Sequence, residues 1–185
     1  MKFRFNPFEK KYQYLGLHVN AHAIKALQFE QKHGRTSLRG YVNAPLPKGL
    51  MIDDAFTDHK KLSEFIKLSL SSPQYGKFNT DRVVVCLPES KSFIRVMEMT
   101  AMDESKADTA IMFEAEAYIP MPMDQVYFDW QIISRKDKTM SVLVIASPKE
   151  YLDTFMDVIE GAGLKLCGVE VEAQSVARAL VPSVV

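Results

Sequence analysis

Residues 101–133, AMDESKADTAIMFEAEAYIPMPMDQVYFDWQII, constrain this chain more than any other stretch, because they permit one order of elements: a helix, a proline stop and a strand. Asp103 suits a helix N-cap, and Glu104 sets a carboxylate at the positive helix end. Ala107, Ala110, Ile111, Ala115, Tyr118 and Ile119 recur at helical spacing. Pro120 and Pro122 cannot continue a helix, and each drives the residue before it toward extended backbone. The run Val126 to Ile133 is then β-branched and aromatic, which predicts a strand.

The same logic orders the rest of the chain. Tyr14–Val19, Ile24–Phe29 and Ser37–Ala44 are three short apolar runs, with His33-Gly34 as a turn signal between the second and third. They predict an antiparallel meander that ends at Pro45, Pro47 and Gly49. Thr57 is placed to cap a helix with Leu62, Phe65, Ile66 and Leu70 on one face. Ser71-Ser72-Pro73 closes that helix, Tyr75–Thr80 reads as a loop, and Arg82–Leu87 reads as a strand buried on both faces. A further strand is expected over Ser92–Met99. After the helix–proline–strand unit, Arg135–Lys138 forms a polar turn and Met140–Ala146 returns as a strand. Ser147-Pro148-Lys149-Glu150 has the form of a capping box for a helix with Tyr151, Leu152, Phe155, Val158 and Ile159 on its apolar face. Gly161 and Gly163 stop that helix. Leu164–Val171 is one more strand, followed by a helix over Gln174–Val181. The fold class is α/β. Residues 1–12 mix Phe3, Phe5, Phe8 and Tyr12 with basic residues. They read as a tail covering an edge of the domain, with a lipid-headgroup contact as the sharper alternative.

Composition excludes several function classes. A formal net charge of zero gives no general surplus of cations for phosphate contacts, so nucleic acid is not expected as a partner. The two cysteines, Cys86 and Cys167, form no CxxC pair and no disulfide framework, which fits a reducing compartment. No apolar run reaches the roughly 20 residues that span a bilayer, so a membrane is expected to be reached only indirectly. Cys86 reads as a small buried hydrophobe. The four histidines lack ligand spacing, so no metal is expected. Glu114 and Glu116 are two apart on a helix, face different ways and make a poor acid–base pair. No catalytic residue emerges.

The run Phe113-Glu114-Ala115-Glu116-Ala117-Tyr118-Ile119-Pro120-Met121-Pro122 resembles the F-E-A-E-x-Y-I-P-F/M-P run of the PilM family, actin-like proteins of type IV pilus assembly. Leu15–Asn20 is similar to that family's L-G-I/L-D-I/V-G, and Ala23–Leu27 to its S-x-I-K-x-V/L. Gly40–Pro47, Ala146–Glu150 and Gly168–Ala179 resemble further family segments in the same order, so the likeness covers nearly the whole chain.

The resemblance implies an actin-like (ribonuclease H-like) subdomain, residues 13–89 plus 164–185, with an inserted β-α-β-β-α subdomain of the FtsA type over 90–163. The family's second large subdomain, which carries the other half of the nucleotide cleft, has no counterpart here, whether the chain is a piece of a longer protein or naturally reduced. The family pattern places Asp and Gly where this chain has His18 and Asn20, so only Gly16 remains of the phosphate loop. The expectation is therefore a non-enzymatic chain without ATP or Mg²⁺, unless a longer chain restores the site. The resemblance further implies a cytoplasmic scaffold at the inner membrane. Its partner would be the N-terminal cytoplasmic peptide of a PilN-like bitopic membrane protein, gripped in a groove between the two subdomains. Phe113, Tyr118, Ile119, Pro120 and Met121 are the residues expected near that peptide. The alternatives are half of an actin-like ATP switch and a self-associating, FtsA-like polymer subunit.

Overall fold

The computed structural model describes residues 13–32 and 34–181, so the expectation for the 1–12 tail lies outside the described residues. In chain order the elements are β1 (Leu15–Val19), β2 (Ala23–Lys32), β3 (Arg35–Pro45), the two-residue strands β4 (Met51–Ile52) and β5 (Ala55–Phe56), α1 (His59–Ser71), β6 (Tyr75–Gly76) and β7 (Arg82–Leu87). Then come β8 (Phe93–Thr100), α2 (Glu104–Glu116), β9 (Val126–Lys136), β10 (Thr139–Pro148), α3 (Lys149–Gly161), β11 (Lys165–Val171) and α4 (Glu172–Leu180). The chain divides into two compact units, residues 91–152 and residues 13–90 with 153–181.

In the larger unit a six-stranded sheet runs β11-β7-β1-β2-β3-β6. β2 is antiparallel to β1 and β3, whereas β7 is parallel to β1 and β11 parallel to β7. An antiparallel meander extended by parallel strands beside its first strand is the ribonuclease H-like topology of actin subdomains. Alternation sets the faces: Leu15, Leu17 and Val19 are buried, while Gly16 is exposed and His18 half-buried. β7 alternates buried with half-buried positions, so the expectation of burial on both faces is corrected: Cys86 keeps partial exposure.

α1 is capped by Asp58, whose carboxylate accepts the Lys61 N–H at 3.0 Å. Thr57, the expected cap, instead donates its hydroxyl to the Gly49 carbonyl. Phe65 and Leu70 are half-buried on α1, and Ser63 and Ser69 join Leu62 and Ile66 in its buried face. Tyr75–Thr80 is not wholly loop, since β6 adds to the edge of β3.

From Asp153 onward α3 counts with the larger unit, against the expectation that it belongs to the insert. The reason is packing. Phe155 stacks on Phe56 at 5.4 Å between centroids, and the Ser63 hydroxyl donates to the Val158 carbonyl at 2.9 Å. A Cβ on Gly161 would come within 2.8 Å of Ser63 Oγ, so glycine lets the two helices approach. Ser147 does not cap α3; it lies in β10 and its hydroxyl donates to the Lys91 carbonyl at 3.0 Å.

The smaller unit is a three-stranded antiparallel sheet, β8-β10-β9, with α2 across one face. Its core holds Ala107, Ile111, Ala115 and Ile119 against Met97, Val126, Met140, Val142, Val144 and Ala146. The helical spacing of those four α2-side residues against the period of two in β10 is what the sequence pattern predicts. Met99, Met102, Met121 and Met123 fill the margins of this core, the usual use of a flexible thioether side chain.

Candidate functional site

Two places hold the residues singled out above. The first is the carboxyl end of the parallel strands β1, β7 and β11, where open α/β sheets commonly bind ligands. The register sets His18 beside Cys86, and Cys86 beside Glu170, so these three form one row on neighbouring strands. α4 lies over this row. Ser175 donates to Glu170 Oε2 at 2.9 Å and lies 3.6 Å from Cys86 Sγ, while Arg178 pairs with Glu170 Oε1 at 3.0 Å.

Sequence reasoning missed this network, in which burial favours the neutral forms of Cys86 and His18. Burial pushes the Cys86 thiol up from its ordinary value, against the hydrogen bond to Ser175, so it stays protonated at neutral pH. Burial is also the main influence on His18 and lowers its pKa, although Glu172, 3.8 Å from Nε2, pulls the other way. His18 is therefore a neutral imidazole at pH 7, and its Nε2 is buried without a hydrogen-bond partner. Only the pairing of Glu170 with Arg178, eight residues apart, could have signalled the network.

Gly16 and His18 lie on β1, and Asn20 opens the turn after it. A Cβ on Gly16 would meet the Leu27 carbonyl at an ordinary 3.7 Å, so no close approach demands glycine there. The Asn20 carboxamide oxygen accepts the His22 and Ala23 N–H groups at 2.9 and 3.0 Å, which closes the β1–β2 turn. Its acceptor capacity is spent on the backbone. Among the described residues no group of three His, Cys, Asp or Glu side chains is arranged to hold a metal ion.

The second place is the C-terminal end of α2 and the proline turn after it. Here the structure separates the five expected contact residues. Ile119 is 7% exposed and belongs to the core of the smaller unit, and Met121 packs against that core. Phe113, Tyr118 and Pro120 reach solvent, with Phe113 77% exposed. Phe113 lies on the last turn of α2, whereas Tyr118 lies in the turn after the helix ends at Glu116. Tyr118 is not alone: the Arg95 guanidinium of β8 stands 4.0 Å from its ring centroid, a cation–π contact that fixes the ring and that sequence reasoning did not foresee. The turn itself is built as the prolines require. Tyr118 and Ile119 donate to the Ala115 carbonyl, and Pro122 opens a short 3-10 turn whose Gln125 N–H returns to the Pro122 carbonyl at 2.9 Å. The surface thus offers an unsatisfied aromatic ring, a pinned tyrosine and an exposed proline, with Glu114 and Glu116 beside them.

Among the described residues no helix is long and apolar enough to cross a membrane. The sequence model of the type IV pilus assembly protein PilM matches residues 16–184. Among solved structures, a PilM–PilN type IV pilus biogenesis complex is similar, with a TM-score of 0.80 and 23% identity over 92% of this chain and 50% of that one. The cytoplasmic domain of EpsL, an inner-membrane component of the type II secretion system of Vibrio cholerae, is similar with a TM-score of 0.52 and 15% identity, over 85% of this chain and 57% of that one. At these identities the likeness to the solved structures is one of fold. The chain spans about half the length of the PilM structure it matches.

Proposed function

The chain belongs to the family of the type IV pilus assembly protein PilM, and from that premise we propose that it is a non-enzymatic scaffold that grips a short cytoplasmic segment of a PilN-like inner-membrane protein. The observation that carries the reading is the end of α2 and the turn after it, where Phe113 is 77% exposed, Pro120 is exposed and Arg95 stacks on Tyr118. An exposed aromatic ring can anchor a bound polypeptide, because aromatic side chains contribute strongly when an interface buries them. The similar structure was solved as a PilM–PilN complex, which makes a PilN-like segment the natural occupant. In this reading the chain works on the cytoplasmic face of the inner membrane and reaches the bilayer through that partner. At the phosphate position Asn20 is engaged with the turn, and His18 is neutral and half-buried with Glu172 3.8 Å from its Nε2. Neither residue is poised for magnesium, which takes oxygen ligands.

The test is an NMR titration of the isotopically labelled chain with the synthetic N-terminal peptide of a PilN-like protein. Saturable shifts at Phe113, Tyr118 and Arg95 are expected. Unmoved resonances at those three positions with millimolar peptide would reject the reading.

A further inference from the structure

The turn between β1 and β2 is a short run of backbone donors, and the chain itself supplies an acceptor for each. The Asn20 N–H donates to the Ala23 carbonyl at 3.2 Å, and the His22 and Ala23 N–H groups converge on Asn20 Oδ1. The remaining donor, the Ala21 N–H, finds its acceptor far along the chain: Asp54 Oδ1, at 3.1 Å. Successive N–H groups in a turn favour an anion. The anion seated here is a carboxylate from the turn between β4 and β5.

That second turn is bent so as to deliver it. Ile52 pairs with Ala55, so Asp53 and Asp54 are the whole loop, and both have positive φ, 49° and 58°. Two-residue loops of this kind favour Asn-Gly or Asp-Gly, because glycine adopts the left-handed backbone without strain. Nothing local explains an Asp at 54. Its distant contacts do. Asp54 is half-buried, with Oδ1 on the Ala21 N–H and Oδ2 accepting the Ser90 hydroxyl at 2.8 Å, from donors 33 and 36 residues away. A local rule is broken here and a long-range contact compensates it, which is the mark of a positioned group. We infer that Asp54 is a built-in anion, an autoinhibitory contact that occupies the β1–β2 turn and keeps an outside phosphate group off its donors. A hydrogen bond to a carboxylate is about twice as strong as a neutral one, and a tethered carboxylate competes at high effective concentration. The inference goes beyond the residues standing at 18 and 20, since the backbone donors are taken as well. It is independent of the α2 surface.

The probe is inorganic phosphate, titrated by NMR into the isotopically labelled whole chain and into Asp54→Gly, with chloride at equal ionic strength as the control. In the parent chain the Ala21 amide should stay still at millimolar phosphate. In Asp54→Gly it should shift saturably, with affinity at least about tenfold above the parent's. Hydrogen exchange gives a second reading. The Ala21 amide should exchange at least about tenfold faster in Asp54→Gly, while His22 and Ala23, held by Asn20, keep their rates. Asp54→Asn keeps the shape of the acceptor and removes its charge, so it should also bind phosphate more tightly than the parent, and it decides the matter should Asp54→Gly fail to fold. Equal phosphate shifts at Ala21 in parent and variants would overturn the inference. So would folded variants whose turn amides ignore phosphate, or an Ala21 amide that exchanges at the parent rate in folded Asp54→Gly.

Discussion

α2 and α4 turn opposite kinds of face to their sheets. α2 lays Ala107, Ile111 and Ala115 into the core of the smaller unit and leaves one large ring, Phe113, in water. α4 holds its sheet through a hydroxyl and a guanidinium and leaves its whole apolar seam outside. The difference teaches that amphipathic spacing marks a face, not what covers it. In α2 the cover is the chain's own sheet. In α4 the apolar positions are uncovered among the described residues, and polar bonds to Glu170 hold the helix on its sheet.

That contrast breaks most sharply under truncation. Ile111→Ala should cost about 2–5 kcal/mol in urea unfolding, because it opens a cavity at a fully buried position. Leu180→Ala should change stability by no more than about 0.5 kcal/mol, being surface loss alone. Equal losses would mean that α4 is buried after all. Phe113→Ala sharpens the same point within α2: stability should hold within about 0.5 kcal/mol, while affinity for a PilN-type peptide should fall about tenfold or more, as for an aromatic anchor. Next in size is Asn20→Ala, which removes the acceptor of two backbone N–H groups and should cost about 1 kcal/mol. The smallest effect is on pH dependence. The folded pKa of His18 lies below its ordinary 6.5, so the unfolded chain takes up the proton first as pH falls. Stability contributed at His18 is therefore present at neutral pH and is lost as pH drops below that value. Thermal melts of His18→Gln between pH 7.5 and 5 should show a flatter profile than the parent chain.

Much of this fold was legible. The meander, the proline stop after α2 and the core positions Ala107, Ile111, Ala115 and Ile119 follow from period and punctuation, which are local properties, whereas Ala110 and Tyr118, read on the same face, are half-buried and exposed. What escaped is decided by neighbours far along the chain. Thr57 and Asp58 are both good caps, and the carbonyl of Gly49 settles which one is free to cap. Ser147 reads as a cap until the Lys91 carbonyl claims it. The boundary of the insert was misjudged at α3 because Phe56 and Ser63 draw that helix into the larger unit. At the α2 surface the sequence marked Phe113, Tyr118 and Pro120 but also Ile119, which is core. A helical face can be read from spacing, whereas the Arg95 contact with Tyr118 depends on a strand whose position no local pattern reveals. The row His18, Cys86, Glu170 comes from sheet order, and sheet order is invisible in a linear reading.

The central claim is that this chain holds polypeptide and not nucleotide, and a two-step calorimetric titration addresses it directly. Mg-ATP is injected first into the chain at neutral pH, and the PilN-type N-terminal peptide second into the same sample. The account predicts no binding heat from Mg-ATP up to millimolar concentration and a saturable, Phe113-dependent heat from the peptide. A micromolar Mg-ATP isotherm with a silent peptide step would contradict it.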